Sequence, residues 1–311
     1  MSSFFKSIKL ILFISIFYYI FHEFDFYKLA LIDVNYFYMI LSIFIFILSL
    51  YLVSLRWKMM LPLLTFKSAF ESTFVRASIN NILPAKLGEV AKILYLKKVY
   101  KVNFSSTLPL LIIDRLMDIL LMLIVFCLGF YVFSYKELDV SFLYMGITFF
   151  TIVGLTFYLF IKNSLSLLKI IRTRHRKATQ FILNNIRILN NLSLIKLNVI
   201  FFITLFIWCC YIAFLYFSLC SVGIFFSFEE TLLMFLIITV ASVIPLLPSG
   251  IGITEAGFIF ILTKYGYSKE FILVFAVYYH ITRALIPTIL GIYFAFSNGL
   301  KFKEFFEYKK N

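Results

Sequence analysis

The chain has 311 residues, of which 63% are hydrophobic and 14% charged, with 41 Phe and a mean hydropathy of +1.00. A soluble domain of this length has no core large enough to hide so much apolar surface, so composition excludes the soluble globular classes and points to a polytopic membrane protein. The formal charge of +14 falls largely in the loops between apolar stretches, a placement that speaks against nucleic acid as the partner that the charge alone would bring to mind.

A bilayer core takes about 20 apolar residues per helix. Six stretches qualify as full spans: 4–21, 36–55, 106–134, 141–161, 197–222 and 271–296. The first has a basic start, but His22-Glu23-Phe24-Asp25 follows without a small-residue cleavage site, so it is expected to stay as a helix. Two further apolar stretches, 69–96 and 229–264, are interrupted near the middle. Backbone in hydrocarbon must satisfy its own polar groups, so each interruption implies a re-entrant hairpin or two tightly packed helices lining a polar cavity. The expected fold is therefore an all-α polytopic membrane protein, with about six full spans and two broken re-entrant helical hairpins.

Loop charge sets the orientation. Residues 162–196 hold Lys162, Lys169, Arg172, Arg174, Arg176, Lys177, Arg187 and Lys196 with no Asp or Glu, which marks a cytoplasmic loop. Counting outward, Lys6 and Lys9, Arg56 and Lys58, Lys97, Lys98 and Lys101, and the tail from Lys301 to Lys310 also fall inside. Glu23, Asp25 and Asp33, then Glu137 and Asp139, then Glu229 and Glu230 fall outside. Both termini are expected in the cytoplasm. The sequons at Asn103 and Asn191 lie on the inner side and are read as chance, and Cys127, Cys209, Cys210 and Cys220 sit in apolar spans without metal-ligand spacing, as packing residues. No cofactor or metal is expected.

The two broken stretches read as versions of one pattern. The first runs Phe70-Glu71-Ser72-Thr73, then Leu83-Pro84-Ala85-Lys86-Leu87-Gly88-Glu89, then Asp114-Arg115. The second runs Phe228-Glu229-Glu230-Thr231, then Leu247-Pro248-Ser249-Gly250-Ile251-Gly252 with Glu255, then Arg283. Glu89 precedes Arg115 by 26 positions and Glu255 precedes Arg283 by 28. Residues 36–134 form a first repeat and 197–296 a second, with 141–161 as a linking span. Three crossings between the starts of the repeats invert the second, so the hairpins are expected to dip from opposite faces and meet near the midplane around a substrate site. The competing explanation is that Pro and Gly are simply frequent in membrane helices.

At the breaks, Pro84, Pro248 and Ser249 end one half-helix while Gly88, Gly250 and Gly252 permit positive φ or close approach. Free amides at the start of the next half-helix would attract anions. An Arg or Asp at the middle of a membrane helix costs about 2.5–3.5 kcal/mol on insertion scales, so Arg115 and Arg283 need a partner or a task. Guanidinium suits lipid phosphate because it donates two parallel hydrogen bonds and never loses its charge. Glu89 and Glu255 are the natural partners when no ligand is bound; the alternative is that each Arg–Glu pair only holds its hairpin on its helix. Asp114 adjoins Arg115 and Asp118 lies one turn on, whereas Arg283 has only His280 at that distance, leaving the second half less negative. His280 would titrate near neutrality or simply bond a neighbour. Lys86 and Lys92 are expected to snorkel to headgroups.

Taken in order, Arg56-Trp57, Leu83-Pro84 to Gly88-Glu89, Asp114-Arg115-Leu116-Met117-Asp118, Leu247-Pro248-Ser249-Gly250-Ile251-Gly252 with Glu255, and Arg283 resemble the lysylphosphatidylglycerol synthase transmembrane-region family of flippase-like proteins. The resemblance spans nearly the whole chain and is specific as an ordered set. It implies a protein of the bacterial cytoplasmic (inner) membrane that moves a lipid between leaflets. It assigns motif positions to Pro84, Gly88, Glu89, Arg115, Pro248, Gly250, Gly252, Glu255 and Arg283. The family's Glu-Arg is Asp114-Arg115 here. Only a short charged tail follows the last span, so aminoacyl transfer is not expected from this chain alone.

The leading expectation is thus translocation of an anionic or zwitterionic phospholipid, or a lipid-linked sugar, with Arg115, Arg283, Glu89, Glu255, Asp118 and His280 around its headgroup. The alternatives are an integral-membrane enzyme of lipid or lipid-linked glycan synthesis, and a scaffold for a separate synthase or glycosyltransferase docked on the basic loop. The enzyme reading requires a base or nucleophile, and His22, His175 and His280 form no catalytic pattern.

Overall fold

The computed structural model describes residues 33–83, 87–134, 193–241 and 250–300, with a few isolated positions between 144 and 155. The expected span 4–21, most of 141–161, nearly all of the basic loop, the tail beyond residue 300, and Pro84, Pro248 and Ser249 lie outside these residues.

Every regular element among the described residues is helical. In chain order these are α1 (Tyr36–Met60), α2 (Phe66–Ile82), α3 (Gly88–Tyr100), α4 (Phe104–Ser134), α5 (Leu194–Cys220), α6 (Phe228–Ala241), α7 (Ile253–Leu262) and α8 (Lys269–Ser297), with a 3₁₀ turn at Thr263–Tyr265 between the last two. Three of them, Tyr36–Met60, Ile195–Cys220 and Lys269–Ser297, are long and apolar enough to cross a membrane. The protein is an all-α polytopic membrane protein.

Local chemistry fixes the helix ends. Asn35 accepts from the amides of Phe37 and Tyr38 to cap α1, and Thr65 accepts from Ser68 N–H to cap α2. Leu83, which precedes Pro84, is extended at φ −110° and ψ 142°, because the proline ring excludes α geometry from the residue before it. That ends α2. After 17 residues the helix has risen about 26 Å, short of a hydrocarbon core of about 30 Å.

α2 and α3 form an antiparallel hairpin. At its base the Tyr95 and Tyr100 hydroxyls donate to buried Glu71 Oε2 over 2.7 and 2.6 Å. Toward its tip Arg76 Nη1 donates to Glu89 Oε1 over 3.2 Å. The second hairpin, α6 with α7, repeats the base contact with Tyr265 hydrogen-bonded to Glu230.

The helices pair in two matching sets. α1–α2, α2–α3, α3–α4, α4–α5 and α8–α2 in one set correspond to α5–α6, α6–α7, α7–α8, α8–α1 and α4–α6 in the other, while α1 and α5 pack on each other. Each hairpin therefore rests on the long helix of the other half as well as its own. The α1–α5 seam buries Ser42, Ser49, Ser54, Thr204 and Ser218; such small residues let membrane helices approach closely. Their hydroxyls donate to carbonyls within the same helix. Phe46, Phe214, Phe258, Phe275 and Tyr279 build the main apolar core beside the seam. The cysteines differ from expectation: Cys220 is buried, whereas Cys127 and Cys209 lie exposed on helix surfaces and pack little.

α8 crosses α2 closely at a glycine. A Cβ built on Gly291 would stand 2.3 Å from the Phe74 carbonyl oxygen and 2.5 Å from Ser78 Cβ. Gly291→Ala should therefore force the helices apart and cost about 1–3 kcal/mol, read as a lowered midpoint of thermal unfolding in detergent. A midpoint equal to wild type would mean that this crossing yields freely.

Candidate functional site

Charged side chains converge where the first hairpin meets α1, α4 and α5. Arg56, on the last turns of α1 and only 2% exposed, sets Nη2 2.7 Å from Asp114 Oδ1 and donates from Nη1 to Asp118 Oδ1 and Thr204 Oγ1, both over 2.9 Å. Arg115 contacts three carboxylates: Asp114 at 2.7 Å, Asp118 at 3.1 Å and Glu89 at 3.4 Å. Glu89 in turn receives Arg76 at 3.2 Å. The result is one continuous lattice carried by α1, α2, α3 and α4, with Thr204 from α5.

The lattice leaves donors unused. Nε of Arg56, Arg76 and Arg115 and Oε2 of Glu89 are buried without a hydrogen-bond partner. Orphaned buried polar atoms are rare in folded proteins, and each carries its full desolvation cost. Three guanidinium N–H donors are thus left over within one lattice. Arg115 is also 43% exposed at its side chain, so the cluster has an open side.

Gly88 explains why α3 can start there. Its N–H donates to Asn80 Oδ1 over 2.7 Å, and a Cβ on it would lie 2.2 Å from the Arg76 carbonyl oxygen. The glycine thus serves close approach, which brings Glu89 beside Arg76. In the second half Gly250 and Gly252 serve backbone conformation instead, at φ 76° and 86°.

The amides at the two breaks differ from the sequence expectation. The Gly88 N–H is taken by Asn80, and the Gly252 N–H donates to Glu255 Oε2 over 2.6 Å. The start of α3 is thus held by a side chain of α2, and the start of α7 by a side chain of its own first turn, where an anion was expected.

The second half departs in its pairing too. Buried Glu255 places Oε1 3.2 Å from His280 Nε2 rather than against Arg283. Arg283 is half-buried and has no carboxylate within 4.0 Å among the described residues. His280 sits three residues, just under one helical turn, before Arg283, which puts it nearer the start of α7. Pro287, inside α8, has no N–H to donate to the Arg283 carbonyl one turn back. Tyr211 on α5 lies within electrostatic range of Arg76, Asp118 and Arg56 on one side and Arg283 on the other, so it marks the middle of the molecule between the halves.

Four residues were misread or missed in the sequence. Arg56 belongs to no loop, since α1 continues past it to Met60 and buries it. Lys92 does not snorkel: it is fully buried, donates from Nζ to Thr73 Oγ1 over 3.1 Å and lies 3.8 Å from the Trp57 ring centre. Arg76 and Tyr211 went unnoticed. A charge inside an interrupted apolar stretch was the available signal for Arg76; Tyr211 carries none. Asp118, Glu89 and Arg115 are brought together, whereas Glu255 and His280 form a separate pair. Among the described residues no group of His, Cys, Asp and Glu is placed to hold a metal.

An all-helical chain with apolar spans and ion pairs gathered between its helices is a polytopic membrane protein that carries charge in its interior. The family model of the lysylphosphatidylglycerol synthase TM region matches residues 7–291, and the chain belongs to that family. No curated protein and no solved structure matches it.

Removing one buried partner should be harsher than removing both. Arg56→Met leaves Asp114 with less compensation and is expected to cost about 3–5 kcal/mol, while Arg56→Met with Asp114→Leu recovers part of that loss. Thermal unfolding of the purified variants in detergent checks the order, and a double variant weaker than the single would contradict it.

Proposed function

We propose that the protein moves an anionic or zwitterionic lipid between leaflets, its phosphate held by intramembrane arginines. The observation that carries this reading is the set of unused guanidinium donors beside a half-exposed Arg115, together with a half-buried Arg283 that no described carboxylate neutralises. A phosphodiester supplies acceptor oxygens for the first place and the countercharge that Arg283 lacks.

In this reading the two hairpins enter from opposite faces, and the segments 36–134 and 197–296 are inverted repeats linked by 141–161. The matching helix pairings support it, because an internal two-fold exchanges one set for the other. The headgroup crosses between the hairpins with the tails in the bilayer, and its phosphate passes from Arg115 to Arg283 or back. Glu89 releases Arg115 when the phosphate arrives, and Asp118 holds the guanidinium in position meanwhile. Glu255 and His280 brace α7 near Arg283, while Pro84, Gly88, Pro248, Ser249, Gly250 and Gly252 shape the tips. The protein sits in the bacterial cytoplasmic membrane with both termini inside, and a lipid-linked sugar or a lipid made by a separate synthase or glycosyltransferase fits the same chemistry.

The test is an impermeant headgroup-bleaching assay on vesicles reconstituted with the protein and a labelled phosphatidylglycerol. Arg283→Ala removes a charge-assisted contact of about 1.5–3 kcal/mol and should slow translocation by roughly tenfold to a hundredfold. Equal rates for variant and wild type would remove Arg283 from the pathway.

A further inference from the structure

Among the described residues Lys92 is the one cation of the cluster without a carboxylate within 4.0 Å. It is fully buried on α3, and its Nζ has Thr73 Oγ1 at 3.1 Å and the Trp57 ring at 3.8 Å. Thr73 itself donates to the Ala69 carbonyl, so its hydroxyl receives the lysine N–H. An ammonium and a neutral amine both have an N–H for that contact, so it does not by itself require the charge, although the Trp57 face favours the ammonium.

Formal charge in the lattice closes without Lys92. Arg56, Arg76 and Arg115 stand against Glu89, Asp114 and Asp118, three charges of each sign, linked by the ion pairs already described. The packed elements contribute Arg56 on α1 beside Trp57, Arg76 on α2 beside Thr73, Glu89 on α3 itself, and Asp114, Arg115 and Asp118 on α4; buried Glu71, also on α2, stands outside the lattice with its own partners, the Tyr95 and Tyr100 hydroxyls and Lys67 at 3.9 Å. Those that act directly on Lys92 are Arg76, Asp114, Glu89 and Arg56. A protonated Lys92 is then the surplus charge of an otherwise neutral buried lattice. Surplus charge in a low-dielectric interior is costly. Guanidinium cannot shed it, because arginine keeps its proton, whereas lysine can.

We infer that Lys92 is a proton-binding site coupled to the anionic headgroup: the loaded lattice holds a proton on the lysine amine, and the empty lattice releases it. This rests on the translocation reading above. A headgroup with one net negative charge adds the missing countercharge, so the loaded site binds a proton more tightly than the empty one; by linkage the proton strengthens headgroup binding by the same factor. One monoanion and one proton then cross together, and translocation draws on the proton gradient without moving net charge. The proton comes from bulk water on the loading side and returns to water on the other, with no covalent bond made or broken apart from N–H. The structure thereby names the coupling ion and gives a role to the lysine that the arginine lattice leaves over.

The experiment counts protons. Dioleoylphosphatidylglycerol is added to the full-length protein in weakly buffered neutral detergent with a pH indicator, while lipid binding is followed separately by native mass spectrometry. Wild type should take up about one proton per lipid bound; inorganic phosphate in place of lipid tests whether the shared phosphate chemistry suffices without a lipid headgroup and tails. Uptake with both ligands assigns the site to phosphate in general, and uptake with the lipid alone assigns it to the lipid; either supports the inference. Zwitterionic phosphatidylcholine, which brings no net charge, should bind without uptake. Lys92→Met and Lys92→Arg should each abolish uptake, the latter while keeping a positive charge at the position.

Lipid binding with no proton uptake by wild type overturns the inference and leaves the translocation reading standing. So does uptake that persists in both lysine variants. Failure of wild type to bind any lipid overturns both. The wild-type count needs no variant to fold, and in reconstituted vesicles an inward against an outward pH gradient should change the wild-type rate several-fold in opposite directions.

Discussion

The bidentate grip of Arg56 on Asp114 and Asp118 is the constraint on which the architecture rests. It ties α1 to α4 inside an apolar protein, with both Arg56 and Asp114 nearly inaccessible. Buried ion pairs gain little net stability because desolvation offsets attraction, yet they penalise every arrangement that separates them. The pair therefore acts as a selector: α1, α4 and the first hairpin have one relative position in which no charge is stranded. From that position follow the placement of Arg115, the approach of Glu89 and the burial of Lys92.

Polarity in this protein is concentrated rather than scattered. Helix α2 carries Ser68, Glu71, Ser72, Thr73 and Ser78, all buried, although a helix of such composition would ordinarily lie in water. Packing explains it, since α1, α3 and α8 enclose α2 and its serine and threonine hydroxyls bond carbonyls of the preceding turn. A helix shielded from lipid by its neighbours can hold what a lipid-facing helix cannot. The interior so created holds charge at less cost than a lipid-facing surface would.

Helices were legible because hydropathy and proline act locally. The stretches 36–55, 106–134, 197–222 and 271–296 became α1, α4, α5 and α8, and the breaks fell where Pro84 and the glycines near 250 put them. Partnerships were less legible because they depend on tertiary placement. Spacing alone put Glu255 opposite Arg283, yet it cannot resolve one turn of helix, and His280 occupies the nearer turn. Arg56 looked like a loop charge because apolar residues thin out at 55, while the helix itself runs on to Met60. For Lys92 the sequence offers the same amphipathic stem whether it reaches headgroups or a tryptophan face. Only the fold decides between them.

Pro287 gives α8 a property that its neighbours lack. A helix with one rung missing on the carbonyl side of its charged residue bends there at less cost than anywhere else along its length. Arg283 accordingly sits at a built-in joint: its guanidinium can swing through an arc while both ends of the helix stay docked, one against α7 and the other against α2. A change of bend at that rung re-aims the side chain one turn before it with no helix having to unwind.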